Sequence, residues 1–105
     1  MRNVFILFVF VFILSANIVF AEPSCLTKDG YFAAVSEKIL DEAVDYSRQK
    51  DLKALRKLKE QNLLFSLKEG VEVYREDVTW DGKVEIRLPG QRQTLWTLME
   101  AVDCE

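Results

Sequence analysis

Apolar side chains fall at three different spacings along this chain, and each spacing predicts a different element. Residues 4–14 are continuously apolar. Between Thr27 and Asn62 apolar positions recur every three or four residues, the period of an amphipathic helix. From Val71 onward they alternate with polar ones, the period of a strand with one buried face.

The helical stretch divides in two. Thr27 is read as the first N-cap, with Asp29 in the first turn, where an acid suits the helix dipole. Phe32, Val35, Ile39, Leu40 and Ala43 then share one face, and Glu37, Lys38, Asp41 and Asp45 the other. The acids at i, i+4 spacing repel slightly, and a straight helix face does not wrap a calcium ion, so this is a solvated face. A second helix runs from Asp51, as N-cap, to about Asn62. Leu52, Leu55 and Leu58 form its stripe, while Lys53, Arg56 and Lys57 point away. Phe32, Val35, Ile39, Leu52, Leu55 and Leu58 are expected to be buried together.

Strands are expected near 63–67, 71–78, 83–88 and 94–97, with a tight helical turn in 98–102. Val73, Val84, Ile86 and Leu88 form their interior. Asp81-Gly82 marks a hairpin and Pro89-Gly90 a turn. A two-residue hairpin loop would pair Asp77 with Ile86 and carry the aspartate to the core face. A bulge or an open loop between Arg75 and Trp80 restores the alternation, and Trp80 stays exposed.

Composition changes the picture at the N-terminus. Arg2, the apolar run and the small-residue exit at Val19-Phe20-Ala21 have the form of a secretory signal peptide cleaved after Ala21. The alternative is an uncleaved anchor, although Ser15 and Asn17 interrupt a run that barely reaches spanning length. The mature chain, 22–105, is one small domain in which 13 basic residues face 17 acids, a net charge of −4. Such a chain, with no long basic tract, is a poor binder of nucleic acid. Charge is nevertheless uneven: residues 22–47 carry net −4 and residues 48–59 net +5. Two solvated faces account for this; the sharper reading has Lys53, Arg56 and Lys57 contact an anionic surface such as lipid headgroups.

Export also decides the cysteines. Cys25 and Cys104 lie too far apart in sequence for a redox pair, and the chain has no histidine to complete a metal site. In an oxidising compartment they are expected to form a disulfide that staples the domain ends.

Without histidine the commonest general base is missing, and no serine sits in a nucleophile turn. Glu76, Asp77 and Asp81 share one loop, but acids beside Asp-Gly are turn formers. An enzyme is not expected, nor a metal or cofactor. Binding has the better case: Tyr74, Trp80 and Trp96 are three large aromatics able to form a strip for an extended peptide. The competing arrangement puts Trp96 in the core, packs Tyr74 over the helices and exposes Trp80 alone.

The run SLKEGVEVYREDVTWDGKVEIRLPGQRQTLWTLMEAV resembles the later strands of bacterial SH3-like domains, with Gly70, Val71, Val73, Val84, Ile86, Leu88, Gly90 and Trp96 at matching places. It departs at Leu95, where that family has glycine. The whole mature chain is similar to small exported bacterial proteins of the same layout. The resemblance implies an attachment module without catalytic residues. The expected architecture is therefore α+β: a signal peptide at 1–21, a helical hairpin at 22–62, and an SH3-like barrel at 63–105 packed with it. The expected function is non-catalytic binding, periplasmic or secreted, of cell-wall peptide or an envelope protein. The alternative is an inhibitor or immunity protein against a secreted hydrolase. Membrane contact is expected only if residues 1–21 stay attached.

Overall fold

The computed structural model describes residues 24–104, so the expected signal peptide lies outside the described residues. The elements are β1 (Ser24–Thr27), β2 (Phe32–Ala34), α1 (Glu37–Arg48), α2 (Leu52–Glu60), β3 (Leu64–Ser66), β4 (Glu72–Val78), β5 (Lys83–Arg87), β6 (Thr94–Leu98) and β7 (Val102–Cys104). A turn of 3-10 helix, Met99–Ala101, joins the last two strands.

The first helix begins later than its periodicity predicts. Thr27 does not cap a helix; it ends β1. Its amide donates to the Val71 carbonyl, its carbonyl accepts from the Gly70 amide, and its hydroxyl donates to the Lys68 carbonyl. Gly30 then takes φ +90°, a left-handed turn that a helix cannot continue through. Ser36 supplies the real cap, accepting the Ile39 amide at 3.2 Å. The second cap is where the sequence puts it, with Asp51 accepting the Ala54 amide at 3.1 Å.

All seven strands pair antiparallel in one sheet, in the order β3-β2-β6-β5-β4-β1-β7. The sheet does not close into the expected barrel. Two strands come from the 22–62 segment expected as a helical hairpin, and they extend the sheet instead: β2 joins β6 to β3, and β1 joins β4 to β7. Short β3 and β7 are left as its edges.

Register sorts the side chains onto two faces. Ala34 and Glu85 lie opposite Trp96, and Tyr74 opposite Arg87, on the face that carries the helices. Leu40, Ala43, Leu58, Ala34 and Leu64 form the core there, with Phe32, Ile39, Leu55 and Trp96 packed against it. Val35 is half-buried and Leu52 exposed, because Leu52 opens α2 beyond the reach of the stripe. Asp41, Lys53 and Lys57 are exposed. The other face carries the second core: Cys25, Val73, Val84, Ile86 and Val102, with Leu88 partly buried beside them. The β4–β5 register shifts between Arg75 and Asp77, the bulge that alternation requires, so Val78 faces Val84 while Asp77 faces Glu85.

Candidate functional site

The loop between β4 and β5 is fixed by hydrogen bonds at almost every residue except one. The Thr79 amide donates to the Lys83 carbonyl and the Gly82 amide to the Thr79 carbonyl. The Thr79 hydroxyl accepts from the Lys83 amide at 3.0 Å and donates to Asp81. Lys83 reaches Asp41 of α1 at 2.7 Å, Asp81 at 3.5 Å and Glu37 at 3.9 Å. The hydrogen bond to Asp41, reinforced by the nearby carboxylate charges, holds the Lys83 ammonium above its ordinary pKa. The Thr79 hydroxyl and then the charge of Lys83 hold Asp81 below its own. Inside this frame Trp80 is 98% exposed. Met99 donates its amide to the Gly82 carbonyl and, like Val78, is partly exposed at the same end of the sheet.

The other two aromatics do not join Trp80. Trp96 packs into the helix-side core. Tyr74 lies under the Arg87 guanidinium, 5.1 Å from ring centroid to Arg87 Cζ. Arg87 is in turn held by Glu76 at 3.0 Å. Tyr74 and Trp96 occupy the same sheet face, but β5 runs between them with Glu85 and Arg87 pointing up. The loop therefore presents Trp80 alone.

An apolar cavity of about 380 Å³ opens at the opposite ends of β4 and β5, lined by Phe65, Leu67, Val71, Ile86, Leu88 and Leu95. Phe65 comes from β3 and Val73, which also lines it, from β4, strands separated in the sheet order, so the sheet curls around it. Sequence reasoning assigned Leu88 to the interior and missed the opening. Its signal was the pair Phe65 and Val71, apolar residues flanking a polar Lys-Glu-Gly turn, which are 38% and 37% exposed.

Lys53, Arg56 and Lys57 lie exposed on the outer side of α2, and none has a carboxylate in ion-pair range among the described residues. The cysteines form the disulfide: Cys25 and Cys104 are directly opposite on β1 and β7, with Cα atoms 4.1 Å apart. Among the described residues, no three His, Cys, Asp or Glu side chains gather to hold a metal, and no helix is long and apolar enough to cross a membrane. Compared with family models, curated proteins and solved structures, the chain matches none.

Proposed function

We propose that this protein is an exported, non-catalytic binding module that engages a protein of the cell envelope through the Trp80 hairpin. The observation that carries the reading is the contrast within one loop: a backbone locked by hydrogen bonds and ion pairs, and a tryptophan that touches almost nothing. Tryptophan is the residue most enriched among binding hot spots, and a preorganised loop loses little entropy on association. Val78 and Met99 extend the apolar contact at the same end. The disulfide is compatible with an oxidising, exported location. Within this proposal the curled sheet is an SH3-like domain opened by two added strands, and cell-wall peptide is the competing ligand for the same tip.

The same rigid hairpin favours one second reading, an inhibitor that seats Trp80 in the cleft of a secreted hydrolase. A panel of lysozymes and amidases separates the two, because only an inhibitor suppresses one of them stoichiometrically. The module itself is tested with Trp80→Ala, which is expected to melt like wild type and to lose retention on immobilised envelope extract. Equal retention of a folded variant rules the hairpin out.

A further inference from the structure

We infer that the corner where α1 ends and α2 begins docks on an anionic lipid surface, with Leu52 as its apolar anchor. Arg48 closes α1, Lys50 stands in the connection, and Lys53 and Arg56 follow on α2. All four are exposed, and none has an acidic partner among the described residues. The single acid of the stretch, Asp51, is turned to the Ala54 amide as the helix cap. At 100° per residue, Leu52, Lys53 and Arg56 share the outer side of α2. Leu55 and Leu58 turn inward to the core.

Leu52 is 67% exposed in the midst of these cations. A lone exposed leucine carries no information. Flanked along the chain by four exposed cations without acidic partners among the described residues, it matches the two layers of a bilayer interface. The leucine enters the acyl boundary while the basic groups reach the phosphates on flexible stems. A soluble polyanion would satisfy the cations and leave Leu52 in water, so lipid is the occupant to which both features point. The loop below Trp80 is tied through Lys83 to Asp41, before the middle of α1, whereas Arg48 ends that helix. Docking by the Leu52 corner thus uses the end of α1 away from its contact with the hairpin. This inference stands apart from the role of Trp80.

The test uses protein exported by a bacterial host, its N-terminus read by mass spectrometry. It is sedimented with vesicles of phosphatidylglycerol and phosphatidylethanolamine, and separately with phosphatidylcholine alone. Any contribution from a retained apolar N-terminus is common to all variants and cancels in the ratio of the two affinities. The wild type is expected to prefer the anionic vesicles and to lose that preference in about 0.5 M salt. Lys50→Gln/Lys53→Gln/Arg56→Gln should weaken anionic binding about a hundredfold, from about fivefold per charge, with melting unchanged. Leu52→Ser should weaken it severalfold while leaving retention on polyphosphate resin unaltered. Trp80→Ala should bind vesicles as wild type does. Equal affinity for both vesicle types, or an unaffected triple variant, overturns the inference. So does an unaffected Leu52→Ser, which would make the ligand a soluble polyanion.

Discussion

Lys83 Nζ stands 2.7 Å from Asp41 Oδ1, and through that contact the β4–β5 hairpin is fastened to α1. The same ammonium reaches Asp81 within the loop, so one side chain sets both the shape of the turn and its attachment.

The pH dependence of this contact has two limbs. Asp81, whose folded pKa lies below its ordinary 3.8, adds stability that is present above that value and fades as pH falls through the folded one. Lys83, raised above 10.5, adds stability that is complete below that value and fades as pH rises through the folded one. Lys83→Met is therefore expected to cost about 1 kcal/mol at neutral pH, as exposed carboxylates lose their partner. Urea unfolding across the pH range should show the gap to wild type narrowing at both extremes.

The disulfide closes nearly the whole domain, linking residues 79 apart in sequence. Removing it with Cys25→Ser/Cys104→Ser should cost about 2–5 kcal/mol. The expected readout is a lower urea midpoint, reproduced in the wild type by adding reductant. An unchanged midpoint would mean that β1–β7 pairing alone holds the ends.

Trp96 and Trp80 should separate cleanly. Trp96→Ala removes a large ring from the helix-side core and is expected to cost about 3 kcal/mol. Trp80→Ala, on an exposed ring, should stay within about 0.5 kcal/mol of wild type. Thermal melts of the two variants side by side check this.

Gly82 tests whether the shape of the loop matters to binding independently of the tryptophan. It holds φ +91° with open space where a Cβ would go, so Gly82→Ala meets no clash but forces a left-handed alanine. The expected cost is about 1–2 kcal/mol, with weakened binding although Trp80 is intact. Full binding by this variant would show that loop preorganisation is dispensable.

Strands β3 to β6 were legible because their signals are local, whereas β7 carries no such signal and forms by pairing with β1. Alternation at Val84 and Ile86, the Asp81-Gly82 turn and even the bulge after Arg75 follow from side-chain parity. The same holds for α2, where Asp51 both looks like a cap and acts as one. Residues 27–34 have an apolar spacing that fits a helix, while their conformation is set by distant partners. Cys25 is tied to Cys104, and Thr27 bonds four groups in the turn before β4. No local period encodes those contacts. The candidate site was half legible: residues beside Asp-Gly favour a surface loop, which pointed to an exposed Trp80. The burial of Trp96 against the helices and the stacking of Tyr74 under Arg87 depend on which strands become neighbours.

The most direct measurement places a photo-crosslinking amino acid at Val78, an exposed neighbour of Trp80, and irradiates cells of the native host. The proposal predicts one discrete adduct with an envelope protein. It should disappear in Trp80→Ala protein of unchanged melting temperature, and persist in the Lys50→Gln/Lys53→Gln/Arg56→Gln background. An adduct that survives loss of Trp80, or no adduct at all, would contradict the claim that this hairpin is the binding site.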